Sequence, residues 1–515
     1  HEQFNAKEVT VKSMTANAKF ILAATLLIAA GLSLAAGPGS AAAVPVEDLL
    51  ISDAVEDEMN ADTTFSSHWI DVSTKEGVVT LSGMTDNILS RERAARIAET
   101  VKGVRAVVNT IEVAVPASIS DKEIQEDVER ALLMDPATDS YEVSVGVKDN
   151  VVTLSGEVDS WKEKELCGKV AMGVKGVKDV RNEVIFEYNK ERPDEEIRQD
   201  IAQALRWDVL VDHALITVVV ENGNVELSGT VGSLAEKSRA SANAYVSGVR
   251  SVDAENLDVR LWARDPSLKQ GKYENVSDEA IAEALEDAFL DDPRLAPFRI
   301  QAEVARGVVT LRGRVDNLKA KDAAAQDARN TVGVVRVKNR LKVRPKERYR
   351  DDELEENIQL AINRDPDLAL RQITINVRNG VADLFGAVDN FREKMQARDL
   401  ASRINGVIAV RNHLAVTGVY SPYPYDPFVE DWYAEDLTYP YEPMLTFKSD
   451  QEIQEEIEDE LFWSPFVDGD KINVRVENGT AILTGKVDTL REYNDAAQNA
   501  REGGAVLVDN QLTVE

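Results

Sequence analysis

Apolar and polar positions along this chain follow a pattern that recurs six times. Each recurrence contains a short strand-like phrase that closes on a glycine. The six phrases are VVTLSG to Gly83, VVTLSG to Gly156, VELSG to Gly229, VVTLRG to Gly313, VADLFG to Gly386 and AILTG to Gly485. Three of the five spacings between the closing glycines are 73 residues. A fixed spacing of this kind predicts that one structural unit has been duplicated.

A second phrase follows each glycine and ends in asparagine. Its copies are KGVRAVVN to Asn109, KGVKDVRN to Asn182, VGVVRVKN to Asn339, NGVIAVRN to Asn412 and GGAVLVDN to Asn510. The third copy, SGVRSVDAEN to Asn256, is longer and is the least regular of the six.

Each copy opens with an acidic amphipathic segment that predicts a helix. In the second copy Ser120 and Glu123 form a capping-box pattern, and Ile124, Val128 and Leu132 recur at helical spacing. The pattern SDQE from residue 449 to 452 repeats this arrangement in the sixth copy. Asp-Pro pairs at 135–136, 292–293 and 365–366 end three of these helices, because proline cannot continue the hydrogen-bond ladder.

The segment after each first helix alternates apolar and polar residues with the period of a strand. Val143, Val145 and Val147 show this in the second copy, and 300–304 and 472–476 show it in the fourth and sixth. Turn-forming residues join this strand to the glycine-ending strand as a hairpin. A second helix, such as 160–174, then leads to a last strand. The predicted unit is α+β, an αββαβ domain with two helices on one face of a three-stranded sheet.

This element order and the phrases G-V-V-T-L-S-G and G-V-x-x-V-x-N resemble the BON domain, a family named for bacterial osmotically induced periplasmic and nodulation proteins. The resemblance covers nearly all of the chain after residue 45. It implies a tandem array of six BON-like domains, numbered 1 to 6 in chain order. Their predicted ranges are 46–115, 119–189, 193–262, 276–346, 350–418 and 449–515, with linkers at 263–275 and 419–447.

The first 43 residues have the features of an export signal. Lys12 and Lys19 precede an apolar run from Phe20 to Ala36, and an alanine box closes at Ala43. We interpret residues 14–43 as a cleaved secretory signal peptide and 1–13 as upstream sequence. An uncleaved membrane anchor is the alternative interpretation. The expected location is the periplasm, with secretion or the cell surface as alternatives.

Composition narrows the possible functions. With 91 acidic and 59 basic side chains among 515 residues, the formal net charge of −32 makes general nucleic-acid binding unfavourable. One cysteine, Cys167, and four scattered histidines provide no cluster for a metal site. The chain carries no nucleophile, phosphate-binding or dinucleotide-binding motif in a suitable context. We therefore expect a noncatalytic protein without a cofactor.

Cations concentrate on the last strand of domain 4. The sequence VRVKNRLKVR from 335 to 344 alternates apolar and basic residues, which predicts that the cations share the open face of the sheet. Arg312 and Arg314 on the neighbouring strand have the same outward parity. The candidate residues for binding an anionic partner are Arg312, Arg314, Arg336, Lys338, Arg340, Lys342 and Arg344.

Three counter-anions could neutralise this row. The acidic start of the next helix, DDELEE from 351 to 356, could cover it within the chain. An acidic helix of a neighbouring molecule or an anionic phospholipid could take the same place. The resemblance favours lipid as one option, since some BON proteins engage anionic lipid.

A second cationic segment carries an aromatic residue. Trp161, Lys162, Lys164 and Lys169 form a candidate membrane-interface group, because an indole beside ammonium groups suits a lipid headgroup layer. A simply solvated helix face is the alternative. The segment 419–447, rich in Tyr and Pro, predicts either an extended spacer packed along the chain or a docking motif for a partner.

The sequence thus predicts a stress-protective binding or scaffold protein of the cell envelope. Envelope proteins or anionic phospholipid are the expected partners, contacted through several weak domain contacts. The alternative is a self-assembling secreted or surface protein built by contacts between sheets and charges.

Overall fold

Each repeat folds as two helices on one face of a small sheet. The computed structural model describes residues 47–61, 69–115, 119–136, 138, 143–186, 192–264, 272, 276–417, 449–464, 467–477, 479–505 and 507–514. The predicted signal peptide and the Tyr/Pro-rich segment 419–447 lie outside these residues.

The helices and strands of the first three domains begin and end as follows. Domain 1 contains α1 Asp48–Ala61, β1 Ile70–Lys75, β2 Val78–Thr85, α2 Ile88–Thr100, β3 Ala106–Asn109 and β4 Glu112–Val113. Domain 2 contains α3 Asp121–Met134, β5 Val143–Lys148, β6 Val151–Val158, α4 Trp161–Met172, β7 Asp179–Asn182 and β8 Ile185–Phe186. Domain 3 contains α5 Asp194–Trp207, β9 Ile216–Glu221, β10 Asn224–Val231, α6 Leu234–Asn243, β11 Ser251–Asp253 and β12 Leu257–Val259.

The last three domains have the same order of elements. Domain 4 contains α7 Asp278–Asp291, β13 Ile300–Ala305, β14 Val308–Val315, α8 Leu318–Arg329, β15 Arg336–Asn339 and β16 Lys342–Val343. Domain 5 contains α9 Asp351–Arg364, β17 Ile373–Arg378, β18 Val381–Val388, α10 Phe391–Arg403, β19 Ala409–Asn412 and β20 Ala415–Val416. Domain 6 contains α11 Asp450–Trp463, β21 Ile472–Glu477, β22 Thr480–Val487, α12 Leu490–Glu502, β23 Leu507–Asn510 and β24 Thr513–Val514.

The glycine-ending strand lies at the centre of every sheet. In domain 1, β1 pairs antiparallel with β2, and both β3 and β4 pair parallel with β2. The predicted third strand is therefore present but is divided into two short segments. The six described sheets share this arrangement. The tandem α+β architecture predicted from the repeats is confirmed.

In five of the six domains the repeated asparagine holds the chain at the break in the third strand. In domain 5 the Asn412 amide nitrogen donates to the Lys394 carbonyl on α10 at 2.6 Å, and its oxygen accepts the Leu414 backbone N–H at 3.2 Å. Asn109, Asn182, Asn339 and Asn510 make the same two bonds in their domains. Asn256 in the stretched third copy instead donates to the exposed Glu226 carboxylate. We call the two-bond arrangement the asparagine clasp.

A repeated aspartate at the start of each first helix holds the hairpin turn. In domain 4 the Asp278 carboxylate accepts the backbone N–H groups of Arg306 and Gly307 at 2.7 and 2.9 Å, and these two bonds lower the pKa of Asp278. Asp48, Asp121, Asp194 and Asp351 also hold two turn amides each, and Asp450 holds the Gly479 amide. The sequence pattern alone does not indicate this role for the aspartate.

The closing glycine is required by a close approach of two backbones. Gly485 has φ +139°, and a Cβ built there would lie 2.1 Å from the Lys471 carbonyl oxygen. A side chain at this position would force the hairpin strands apart. The repeated glycine is therefore a geometric requirement of the central strand.

The apolar cores remain largely separate from domain to domain. Domains 1, 2, 3 and 6 each have a cluster of buried aliphatic side chains among the described residues. Domains 4 and 5 share one cluster, because their second helices α8 and α10 pack together. The described residues of the six domains nevertheless belong to one compact unit.

Ion pairs between buried and half-buried side chains join the domains at their helical faces. Asp399 on α10 accepts from Lys319 of domain 4 at 2.9 Å and from Arg403 at 2.8 Å. Arg403 reaches onward to Asp135 of domain 2 at 2.7 Å. We call Asp135, Lys319, Asp399 and Arg403 the ionic junction. Burial opposes ionisation of Asp399, but Arg403 and Lys319 outweigh it and lower the pKa of this carboxyl group.

Asp327 lies near this junction, but its carboxylate group is less completely hydrogen-bonded. Its Oδ2 is buried and has no hydrogen-bond partner within the described part of the chain. Burial, followed by the neighbouring Asp292 carboxylate, raises the pKa of Asp327 to about 7. The folded protein therefore holds a proton on Asp327 at a pH where the unfolded chain releases it.

The asparagine clasp predicts a difference between two asparagines of the same phrase. Replacing Asn412 with alanine removes two hydrogen bonds at a buried site, so local stability should fall by about 2 kcal/mol. Hydrogen exchange of the Ala409–Val416 amides should then quicken by about 30-fold. Asn256→Ala is the matched control and should change stability by less than about 0.5 kcal/mol. Equal effects of the two substitutions would contradict the clasp.

Asp327 predicts a substitution that stabilises the protein at high pH. A carboxyl group with a raised folded pKa loses stability as pH rises from its unfolded value, near 4, to its folded value. Asp327→Asn should therefore raise the free energy of unfolding at pH 8 by about 2 kcal/mol, and by much less at pH 5. Asp399→Asn should lower it by about 3 kcal/mol at pH 5, because Lys319 and Arg403 lose their shared partner. Chemical denaturation at the two pH values measures both, and a destabilised Asp327→Asn at pH 8 would refute the assignment.

Candidate functional site

The seven predicted cations of domain 4 lie together on the open face of its sheet. Arg312 and Arg314 belong to β14, and the other five follow β15 and β16. All seven side chains are exposed, whereas Val309, Leu311, Val315, Leu341 and Val343 point to the opposite face and are buried. We call Arg312, Arg314, Arg336, Lys338, Arg340, Lys342 and Arg344 the basic face.

Strand pairing brings like charges close to one another on this face. Arg314 lies directly opposite Lys342, and Lys338 lies opposite Thr310. Among the described residues, the carboxylate that pairs with the basic face is Glu303, which accepts from Arg312 at 3.0 Å. Like charges on neighbouring strands are unfavourable without a counter-anion. The arrangement therefore suits the binding of an anionic surface.

The acidic start of α9 does not cover the basic face. Asp351 holds the hairpin turn of domain 5, and Glu355 accepts the Val377 backbone N–H at 2.7 Å. Asp352 pairs with Arg350, and Glu353 accepts the Arg350 backbone N–H. These carboxylates serve their own helix and domain. Asp351, Asp352, Glu353 and Glu355 are therefore engaged away from the basic face, which makes this alternative less favourable than an external anion.

The group around Trp161 lies between domains. The Trp161 ring stacks on Tyr245 of domain 3, with 4.1 Å between centroids and 4° between planes. Lys162 donates to the Asp291 carbonyl of domain 4 at 2.9 Å. Both side chains are half-buried. These contacts favour a role in domain packing over insertion at a lipid headgroup layer.

The other two lysines of this group, Lys164 and Lys169, have different surroundings. The Lys164 backbone carbonyl accepts a hydrogen bond from the Asn182 amide in the asparagine clasp of domain 2. The Lys164 side chain is half-buried. Lys169 is exposed at the last turn of α4. The structure therefore does not gather Trp161, Lys162, Lys164 and Lys169 into one exposed surface.

A cavity of about 1210 Å³ lies where the helices of domains 1 to 5 meet. Its walls include the ionic junction together with Asp208 and Arg239, which pair at 2.7 Å. Sequence reasoning missed these interior charges. The available signal was the aspartate before the helix-ending proline at 135, 292 and 365, where each carboxylate is buried.

Metal ligands, the cysteine thiol and the character of the helices bear on other potential chemistry in the part of the chain that the structure describes. No group of His, Cys, Asp or Glu there is arranged to hold a metal ion. Cys167 is buried in the core of domain 2, and burial raises the pKa of its thiol to about 12. None of the described helices combines the length and apolar character that crossing a membrane needs.

Comparison with known proteins identifies the repeated unit. The family model described as "BON domain" matches residues 47–115, 120–188, 193–260, 277–345, 350–418 and 449–515. A curated relative, "Osmotically-inducible protein Y" of Escherichia coli (strain K12), is 34% identical over 121 residues. That match covers 22% of this chain, and the chain spans 60% of the relative's length.

Solved structures of CdsD, a structural protein of the type III secretion system of Chlamydia trachomatis, also show similarity. The C-terminal domain of CdsD is 14% identical, with 42% of this chain and 100% of that chain covered and a TM-score of 0.12. A second CdsD structure is 15% identical, with coverages of 41% and 92% and a TM-score of 0.11. These TM-scores support no argument about this chain.

The six family matches cover most of the sequence and coincide with the six folded repeats. Within five of those repeats the same asparagine clasp recurs, and in all six an aspartate holds the hairpin turn. The chain belongs to the BON domain family.

Proposed function

We propose that this protein is a noncatalytic, stress-related protein of the cell envelope that acts by binding, and that the basic face of domain 4 docks an anionic partner. The observation that carries the proposal is the basic face itself. Seven exposed cations share one sheet surface, with Glu303 as their paired carboxylate among the described residues. These cations stand together in a chain whose formal net charge is −32.

The acidic total does not prevent local attraction to an anion. At physiological ionic strength, charges more than about 8 Å apart are largely screened in solvent. The cations of the basic face then act on a nearby anion more strongly than the distant carboxylates do. Each lysine or arginine near an anionic lipid surface contributes about 1 kcal/mol to binding. Seven such groups support association with a phospholipid surface.

The relatives and the N-terminal sequence support the biological setting. Similarity to a protein named as osmotically inducible supports a role in osmotic stress. The secretion-like pattern of residues 14–43 supports export to the periplasm. Because the six domains belong to one compact unit, the protein would present its sheet faces as parts of a single body.

Vesicle binding tests the proposal directly. The protein should float with vesicles of phosphatidylcholine mixed with phosphatidylglycerol, and much less with phosphatidylcholine alone. Binding should weaken from low to moderate salt because it depends on charge. The double reversal Arg340→Glu and Lys342→Glu should lower the affinity by about 100-fold, since each reversal both removes an attraction and adds a repulsion.

A matched control is available on domain 2. Lys148 and Arg181 are exposed on its sheet, and Arg181 lies opposite Thr153 as Lys338 lies opposite Thr310. Reversing both to glutamate changes the net charge equally and should leave most of the vesicle binding intact. Equal loss in the two double variants would attribute binding to total charge and would refute a role for the basic face.

A further inference from the structure

The open sheet face of domain 3 carries the opposite charge to that of domain 4. Its exposed carboxylates come from the central strand β10, from β11 and β12, and from the turn between them. We call Glu226, Asp253, Glu255 and Asp258 the acidic face. All four side chains are exposed.

The two faces place their charges at equivalent positions of the same sheet. Asp253 lies opposite Glu226 in domain 3, and Lys338 lies opposite Thr310 at the same distance from the closing glycine in domain 4. Asp258 lies opposite Thr230, and Lys342 lies opposite Arg314, in the next row past that glycine. The two sheets therefore have matching backbones and opposite charges.

Domain 3 supplies only part of the neutralisation that its acidic face needs. Arg260 pairs with Asp258 at 3.0 Å, and Asn256 donates to Glu226. Lys237 on α6 is also attracted electrostatically by Asp258, Glu255 and Asp253. Asp253 accepts a backbone N–H from Glu255. Within the described residues these groups contribute two cations against four carboxylates.

The two faces do not satisfy each other within one molecule. Domains 3 and 4 meet through the ends of α5 and α8, where the Val209 N–H donates to the Asn330 carbonyl and the Val332 N–H donates to the Trp207 carbonyl. The sheet faces are solvent-exposed. A second copy of the chain can offer each face its complement.

We propose that the acidic face of domain 3 on one copy docks against the basic face of domain 4 on a second copy. This inference rests on the proposed function in treating the basic face as a docking surface, and it names a partner for that surface. Sheets that pack face to face lie about 10 Å apart, which lysine and arginine side chains can span to reach facing carboxylates. Each copy keeps one free face of each sign, so the contact is heterologous and propagates head to tail.

The charge of the whole chain sets the salt dependence of this contact. At very low ionic strength the net charge of −32 on each copy repels the other over a long range. Moderate salt screens that repulsion while contacting charges still attract each other. High salt then screens the contact itself. Self-association should therefore pass through a maximum at moderate ionic strength.

Charge exchange between the two faces tests the inference. The acid-reversed variant carries Asp253→Lys, Glu255→Lys and Asp258→Lys, and the base-reversed variant carries Lys338→Glu, Arg340→Glu and Lys342→Glu. Sedimentation velocity over a concentration series should show association of the unmodified chain at moderate salt. Each variant alone should associate at least about 10-fold more weakly, because its two faces then have the same sign.

Two combinations should restore association. The chain with all six substitutions keeps its net charge, and its faces are again opposite in sign. A mixture of the two reversed variants also brings opposite faces together. Recovery in both, with unchanged circular dichroism of each variant, would support the contact. A monomeric unmodified chain at every salt concentration, or reversed variants without recovery, would overturn it.

Vesicle binding separates this result from failure of the proposed function. The acid-reversed variant retains the basic face, so it should still bind anionic vesicles. If vesicle binding depends on the basic face but self-association is not restored, the contact between copies is overturned and the docking role of the basic face stands. Restored self-association without vesicle binding supports the contact and excludes lipid as the partner of this face.

Discussion

The arrangement of the described domains depends on the ionic junction at Asp399. One carboxylate accepts from Lys319 of domain 4 and from Arg403, and Arg403 also binds Asp135 of domain 2. A charged cluster taken out of water is costly unless its members are all paired. The junction therefore favours one relative placement of domains 2, 4 and 5. Their helices meet around the cavity, and the sheet faces of domains 3 and 4 remain available to partners.

The architecture could be predicted from sequence because its signals are local and repeated. The closing glycine and the alternating strand pattern act within one repeat and recur in all six copies, and the Asp-Pro stop recurs in three. The asparagine at the end of the second phrase was visible too, but its bonds to the helix 18 residues earlier required coordinates. The turn-holding aspartate was hidden for the same reason, because its partners lie 28 and 29 residues away.

At the candidate site, the features set by a single strand could be predicted from sequence, and the contacts between domains could not. Strand parity placed Arg336 and Lys338 on the open face correctly, since alternation depends on the backbone alone. The surroundings of Trp161 could not be predicted, because Tyr245 comes from another domain. The fate of the acidic residues after 350 depended on the turn and strand that they bind in domain 5. Contacts between repeats depend on pairings that no single repeat encodes.

The divided third strand has a consequence for solubility. An uninterrupted outer strand offers a continuous row of free amides and carbonyls on which foreign chains can polymerise as amyloid. Here that row is cut after four residues or fewer in every described sheet. In the five sheets that have the asparagine clasp, this edge therefore offers a foreign chain only a short stretch of backbone to pair with.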